Sequence, residues 1–514
     1  MNTITNKNAG KGIIPTGAGG IPGSAGCAGC EARRSWHTGR PGGLRLRPLL
    51  TIGLLAAALA GCSFTPEYQR PAAPVPHIIS AAGERAVPGN APPDATLPGW
   101  KQVFIDPQLQ VLIETGLEHN RDLREASLNV EAARAQYRIQ RSALLPSLGL
   151  YGEGGRQRTP ADLSATGQAM TLGQYAAGAM ASYEVDFFGR LRGMSTEAQE
   201  RYLATEAAQR SAHISLVGEI AGAYLGWVTD SQLLELARQT QATRERTVDL
   251  VERQYQVGVA TQLDLSQAKG ALHDARSSTA EFDRLARQDL NALQLLTGST
   301  ELLTLAAAPG DSGSVVRLGG IPSNVDSGVL LNRPDVATAE HEIRAANGSV
   351  GAARAAFFPR IVLTGSAGTA SAGLSDLFGG GTGAWSFLPR LDLPIFDFGN
   401  RRANLDLAQV RRDIRINHYE RAIQNGFREV ADALVARDRY VAQLRAQEDL
   451  VEEAERSHTL SVHRYETGVD SFLQVLDAQR TLFNARRNLL ATRLQQQLNL
   501  VQLYRSLGGG WEAG

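Results

Sequence analysis

Tyr255-Gln256-Val257-Gly258-Val259 and Tyr465-Glu466-Thr467-Gly468-Val469 are one short turn written twice, 210 residues apart. Each copy ends a long proline-free helical pattern and opens another. Thr261-Gln262-Leu263-Asp264 follows the first glycine and Ser471-Phe472-Leu473-Gln474 the second. Both have the capping-box pattern, in which a hydroxyl and an acidic or amide side chain satisfy free N–H groups at a helix start. The glycine suits the left-handed backbone that ends the preceding helix. The chain is therefore expected to fold twice into helix, sharp reversal, helix.

Working outward, no proline occurs between Gly189 and Gln256, enough chain for a rod of about 100 Å if it is unbroken. Leu233, Leu236, Thr240, Thr243, Thr247, Val251 and Gln254 step by three or four, a coiled-coil spacing with a narrow, partly polar seam. Beyond the turn, Leu272, Ala275, Thr279, Phe282, Ala286, Leu290, Leu293 and Leu296 carry an apolar stripe back to Gly298. The 210-residue offset relates Glu219 to Glu429, Ala221 to Ala431, Leu263 to Leu473, Ala275 to Ala485, Leu290 to Leu500 and Gly298 to Gly508. Such sustained agreement is an internal duplication.

Ahead of each rod lies the same prelude. Asp106-Pro107 opens a helix, and a second runs from about Asp122 to Leu144, stopping before Pro146. In the other half Asn332-Arg333-Pro334-Asp335 opens a helix that ends near Phe357, before Phe358-Pro359. Glycine-rich, weakly alternating sequence follows each proline: Leu148 to Gly152 and Tyr175 to Phe188, then Ile361 to Leu374 and Ala384 to Phe396. Weak alternation over about ten residues is how outer-membrane strands read; a soluble hairpin is the alternative. Four membrane strands cannot close a barrel, and open edges do not survive in hydrocarbon. Copies must pool strands, giving eight in a dimer or twelve in a trimer. Eight leave an interior filled by side chains, whereas about twelve leave room for a lumen.

The N-terminus reads as an address. Arg40, Arg45 and Arg47 precede an apolar run, Leu49 to Leu59, that is too short to span a bilayer. It ends in Leu59-Ala60-Gly61-Cys62, which resembles a bacterial lipobox, with Ser63 next. Residues 1–61 hold seven basic side chains and one acid, leaving 45 basic against 51 acidic beyond. That balance does not point to nucleic acid as a partner. Residues 62–100 are proline-rich and polar, the composition of an extended tether. The paired Cys27 and Cys30 fall within the leader. The nine histidines form no HExxH or metal-spaced cluster, and GxSxG and Walker motifs do not occur. An enzyme is not expected, and no cofactor beyond covalent lipid on Cys62. Gly379 to Gly383 reads as a flexible extracellular loop.

The ordered set of lipobox, Pro66-x-Tyr68-x-Arg70-Pro71, Phe104-x-Asp106-Pro107-x-Leu109, Asn120-x-Asp122-Leu123, Leu330-Leu331-x-Arg333-Pro334-Asp335 and both tip turns resembles the TolC-like outer-membrane factor family. Within it the likeness is to the lipoprotein (NodT-like) branch serving RND-type multidrug pumps. It implies a mainly α fold with a transmembrane β-barrel: a homotrimer sharing one twelve-stranded barrel, four strands per chain, continued by an α-helical coiled-coil periplasmic tunnel. The implied organisation is a signal peptide (1–61), an acylated tether (62–100), repeat 1 (101–298), an equatorial connection (299–332), repeat 2 (333–508) and a short tail (509–514). Strands would lie at about 147–188 and 360–397, with tip turns at 255–261 and 465–471.

The resemblance further implies palmitate-type acylation at Cys62 and contact between the tips (Tyr255, Gly258, Val259, Tyr465, Gly468, Val469) and a periplasmic adaptor of the membrane-fusion type. Beneath that adaptor it implies an inner-membrane RND pump, and around the barrel outer-membrane lipid. It implies a periplasmic aperture near Asp264, Gln474 and Asp477, with Asp264 as a linking carboxylate and Tyr465 as its hydrogen-bond partner. Three Asp477 carboxylates about an axis would form a cation-attracting ring. Asp470 stands where the nearest gates of this kind carry a basic residue, so no salt link from Asp264 to that position is expected. Two rival readings stay open: a conduit for an ABC-type exporter, and a coiled-coil lipoprotein with no pore.

Overall fold

A computed structural model describes residues 64–80, 99–299 and 324–510. The leader, Cys62 and most of the 299–332 connection lie outside the described residues. A short strand, β1 (Ile78–Ser80), comes first. The first half then runs α1 (Trp100–Val103), α2 (Pro107–His119), α3 (Arg121–Ser142), β2 (Ser147–Thr159), β3 (Met170–Val185), α4 (Arg190–Gln256) and α5 (Gln262–Thr297). In the second half, β4 (Asn324–Asp326) and a 3-10 turn precede α6 (Pro334–Ala355), β5 (Arg360–Ser371), β6 (Gly383–Asp392), α7 (Asn400–Glu466) and α8 (Phe472–Ser506). β1 and β4 pair antiparallel, so the middle of the tether is tied to the last part of the equatorial connection.

Local chemistry sets these boundaries. Asp106 accepts from the Gln108 and Leu109 N–H groups, with Pro107 in the first turn, and Asn120 caps α3 through Leu123 N–H. Pro146 and Pro359 follow α3 and α6 and forbid their continuation. With no proline inside, α4 and α7 each continue unbroken for 67 residues, about 100 Å at 1.5 Å per residue. The start of α4 and the C-terminal half of α6 touch backbone to backbone. A Cβ on Gly193 would lie 2.9 Å from the Gly348 carbonyl, and one on Gly348 would lie 2.7 Å from that of Gly193. Any larger residue at either position forces the two halves apart.

Apolar side chains gather in layers along the helices. Val103, Phe104, Leu109 and Ile113 pack with Val217, Ile220 and Tyr224 of α4, and Leu330, Val336 and Ile343 pack with Tyr419, Ile423 and Leu434 of α7. Further along, Leu233, Leu234, Ala237 and Phe282 meet Phe483 and Leu490. Nearest the reversals, Val248, Val251, Leu265 and Leu272 meet Phe472 and Val475. The seam of α4 therefore differs from the expected stripe. Leu233 and Val251 are buried, but Thr243 is exposed and the intervening positions are Leu234, Ala237, Arg244 and Val248. A charged residue at a seam position reads as surface in a sequence, so with Arg244 discounted the periodicity points one face to the side.

Candidate channel wall, hairpin tips and tether

The four long strands form one antiparallel sheet in the order β2-β3-β5-β6. Its register sorts the side chains. Leu150, Ala179, Ala367 and Trp385 lie in one row across the sheet, and Leu148, Ala181, Gly365 and Phe387 in the next such row. Rows on the opposite face hold Gly149, Met180, Ser366 and Ser386, and Ser147, Ser182, Thr364 and Leu388. One face is thus apolar and the other largely small or polar, the lipid-out, lumen-in alternation of an outer-membrane wall. On the apolar face of β3, Tyr175 and Tyr183 are separated by alanines, about 27 Å apart along the strand, the spacing of two interfacial aromatic girdles. Leu150 is 89% exposed and Trp385 81% exposed in the single chain. Both outer strands, β2 and β6, end the sheet with an unpaired edge. In hydrocarbon such edges must be closed by further strands.

At the other end of the long helices, both reversals have the same backbone. Val259 N–H donates to the Gln254 carbonyl (2.8 Å) and Gly258 N–H to that of Tyr255 (3.0 Å); Val469 and Gly468 repeat this on Arg464 and Tyr465 (2.9 Å each). These are Schellman closures, which need the left-handed residue supplied by Gly258 (φ 79°) and Gly468 (φ 74°). The reversals present Val257, Val259 and Leu263, and Val469 and Leu473, to solvent, with Val257 and Val259 about three-quarters exposed. Tyr255 is exposed, whereas Tyr465 is half-buried against Phe472.

The helix starts after the two turns diverge. Thr261 and Asp264 form the expected capping box: Asp264 N–H donates to Thr261 Oγ1 (3.2 Å), and Asp264 Oδ2 accepts from Thr261 N–H (2.9 Å) and its hydroxyl (2.6 Å). Those two donors hold the Asp264 carboxyl below its ordinary value. Ser471 makes no capping bond with its side chain, so the box expected with Gln474 does not form. The neutral Gln474 amide replaces the carboxylate that draws both donors in the first copy, and the second turn is held by an ion pair between Arg464 and Asp470 (2.6 Å). Asp470 therefore has its own cation within the turn. The expected bond from Tyr465 to Asp264 is also not made: the Asp264 Oδ2 serves Thr261, and the Tyr465 hydroxyl is given to Gln254. Tyr465 Oη donates to Gln254 Oε1 (3.1 Å), tying one tip to the other. Burial, and then the nearby Asp264 charge, push the Tyr465 hydroxyl up. Gln474 and Asp477 are exposed one helical turn apart on α8, and Arg480 pairs with Asp477 (2.5 Å).

The tether grips the second half. Phe64 stacks on Phe358 (4.6 Å), which stacks on Phe188 (4.8 Å), at the base of β5 and β3. Glu340 of α6 accepts from Tyr68 Oη (3.0 Å) and from Arg70 Nη2 on both oxygens (3.1 Å each). Burial opposes its charge, yet Arg70 and Tyr68 hold this carboxyl below its ordinary value. The motif Pro66-x-Tyr68-x-Arg70 thereby acquires a physical role that the proline-rich composition did not disclose.

A wall that several copies must share, carried on paired helical hairpins with reversals at the far end, defines an outer-membrane channel of the barrel-and-tunnel class. The sequence profile described as outer membrane efflux protein matches residues 112–299 and 327–509, once in each half. The chain belongs to the outer membrane efflux protein family. It is 46% identical over 455 residues to the solvent efflux pump outer membrane protein SrpC of Pseudomonas putida, covering 88% of this chain and 96% of that one. To outer membrane protein OprJ of Pseudomonas aeruginosa it is 43% identical over 463 residues, covering 90% and 95%. Among solved structures, the open state of the Neisseria gonorrhoeae MtrE outer membrane channel superposes with a TM-score of 0.75 at 36% identity, covering 87% of this chain and 98% of that one. A membrane protein from Pseudomonas aeruginosa superposes at 0.81 with 42% identity, covering 87% and 100%. The protein is an outer-membrane efflux channel: a homotrimer pools twelve strands into one barrel, and the helices continue it into the periplasm. This disposes of a coiled-coil lipoprotein without a pore.

Proposed function

We propose that the trimer is the passive exit duct of a tripartite pump, receiving small apolar or amphiphilic molecules from an inner-membrane RND transporter through a periplasmic adaptor. The observation that carries it is the sheet with two unpaired edges and one apolar face, continued directly into paired helices of 67 residues. Relatives named for solvent, toluene and antibiotic efflux favour that cargo class. The exposed Val257, Val259 and Val469 around Gly258 and Gly468, beside Tyr255 and Tyr465, form the adaptor-facing surface. In this reading the chain has no catalytic role. Cys62 carries the lipid, and the Phe64 stack at the strand bases supports an anchor at the periplasmic leaflet. Gln474 and Asp477 face the aperture, with Arg480 neutralising part of the Asp477 ring; Asp264 serves chiefly as a helix cap.

Purified trimer in a planar bilayer tests the duct directly and is expected to give ion conductance. A monomer in detergent, or a trimer without conductance, overturns the reading. Photocrosslinkers at Val259 and Val469 are expected to capture a co-expressed adaptor, and Asp264→Ala to leave conductance unchanged.

A further inference from the structure

Between the two apolar layers nearest the tips, the seam joining the hairpins changes chemistry. A pocket of about 190 Å³ opens there, lined among others by Thr240 and Arg244 of α4, His458 of α7, and Gln479, Phe483 and Arg486 of α8. Arg244 lies about 18 Å from the end of α4, counted along the helix axis. It is only 6% exposed. Its Nη1 donates to the Ala271 carbonyl (2.5 Å) and to Asp274 (3.1 Å), but its Nε–H has no partner. His458 Nε2 and Gln479 Oε1, also buried, are likewise unpartnered. Buried polar atoms are ordinarily satisfied, and a cluster of exceptions asks for something in the space between them.

The lining holds two guanidinium groups and an imidazole but no carboxylate. Asp274, which pairs with Arg244, is largely in solvent, and Glu455, which pairs with Arg486 (2.6 Å), lies outside the lining. Inside, the unspent atoms are one donor, Arg244 Nε–H, one imidazole nitrogen that donates or accepts by tautomer, and the Gln479 amide, whose oxygen and nitrogen exchange places on a flip, all beside two guanidinium groups. The hairpin design does not require this. Under the 210-residue offset, Arg244 and His458 correspond to Ala454 and Val248, both buried and apolar.

We propose that this pocket binds a small anion, of chloride to phosphate size, at the junction of the two hairpins. Arg244 Nε–H and the His458 tautomer protonated at Nε2 donate to it, Gln479 turns its amide to offer N–H, and Arg486 supplies a second positive charge. Bound there, the anion ties α4 to α7 and α8 through contacts the chain does not make directly. The rival occupant is water alone, accepting from Arg244 and donating to Gln479 and His458.

The test uses the full-length trimer in detergent at constant ionic strength. Replacing gluconate by chloride, or in a second arm by phosphate, is expected to raise Tm saturably in the native chain. Arg244→Met and Gln479→Leu are expected to lose that rise, the second variant serving if the first does not assemble. Crystals soaked in bromide are expected to show an anomalous peak within hydrogen-bond reach of Arg244 Nε. Equal Tm in all salts, with ordered water and no bromide peak in the pocket, overturns the proposal. A rise in one arm only assigns the anion as halide or oxyanion.

Discussion

The two halves close in the same way with different chemistry. In the first, Asn120 Nδ2 donates to the Leu296 carbonyl at 2.8 Å; in the second, Arg333 Nη1 donates to that of Ser506 at 2.6 Å. Leu296 and Ser506 are equivalent under the 210-residue offset, and each lies two residues before a left-handed glycine, Gly298 or Gly508. Asn120 also caps its own helix, and being neutral it needs nothing more. Arg333 caps nothing with its side chain and is buried, so Asp335 (2.7 Å) and Glu429 (2.9 Å) must balance it. In the first half the counterpart of Glu429, Glu219, stays exposed. Duplication thus preserved which helix end is clasped to which and left the clasp itself free to change. Once a guanidinium took the place, two carboxylates became its obligatory company.

The comparison is broken most easily at Arg333. Arg333→Met strands Asp335 and Glu429 and leaves the buried Ser506 carbonyl without its donor; each charge-assisted hydrogen bond lost is worth about 1.5–3 kcal/mol, although the partly exposed carboxylates recover some of it from water. The expected outcome is a large drop in trimer Tm and loss of the heat-resistant oligomer on gels. Asn120→Ala removes one neutral clasp and one cap, which together cost about 1–3 kcal/mol, and should give a smaller drop. If the two variants melt alike, the charge is incidental and the halves are energetically equivalent.

A subtler contrast separates Asp289 from its counterpart Asn499. Asn499 Nδ2 donates to the Ala433 carbonyl (2.9 Å). Asp289 instead faces Asp230 on α4, whose counterpart is Tyr440. Burial, and then the Asp230 charge, push the Asp289 carboxyl up to about 7, and burial pushes Asp230 up as well, opposed first by its hydrogen bond with Asp289 and then by Arg284, with Glu281 assisting. The folded chain therefore holds a proton that the unfolded chain has released above its ordinary value of 3.8. Stability attributable to this pair falls as pH rises between about 4 and 7. Asp289→Asn, which installs the second half's residue, is expected to raise Tm at pH 8 and flatten that slope. An unchanged slope sinks the assignment.

Which of these features a sequence discloses follows from the range of the forces involved. The reversals at Gly258 and Gly468, the stops at Pro146 and Pro359 and the existence of four strands depend on neighbouring residues and were legible, although the loop-side ends of the first hairpin were not: β2 runs on to Thr159 beyond the expected Gly152, and β3 starts at Met170 ahead of the expected Tyr175. The open sheet edges followed from counting strands against the requirements of a bilayer. The clasp of Glu340 on Tyr68 and Arg70 joins residues some 270 positions apart, and no periodicity records it. Arg244 was missed for the opposite reason: its charge places it on the surface in any reading by polarity. Ser471 shows that a local pattern can be satisfied in letters and unused in fact. Asp470 is already engaged by Arg464, and a glutamine does not attract the two donors that Asp264 attracts.

That last difference gives the smallest and most local prediction. Thr261→Ala removes a hydroxyl that both accepts from Asp264 N–H and donates to its carboxylate, a cap of about 1 kcal/mol. Ser471→Ala removes nothing that the helix start uses. Global melting of a large trimer will not resolve this, because a fraying first turn opens far below the cost of unfolding. Amide exchange at residues 262–265 and 472–475 will: faster exchange is expected after Thr261→Ala and no change after Ser471→Ala. Acid should mimic the first variant. The folded carboxyl of Asp264 sits below its unfolded value, so its contribution is intact above about pH 4 and is lost as pH falls further. Acid also protonates Asp470, which Arg464 holds below its ordinary value, but the Arg464–Asp470 pair, exposed to solvent, should in addition weaken with added salt, as the Thr261–Asp264 cap should not. If salt loosens the first turn and acid alone loosens the second, the two tips have been assigned the wrong way round.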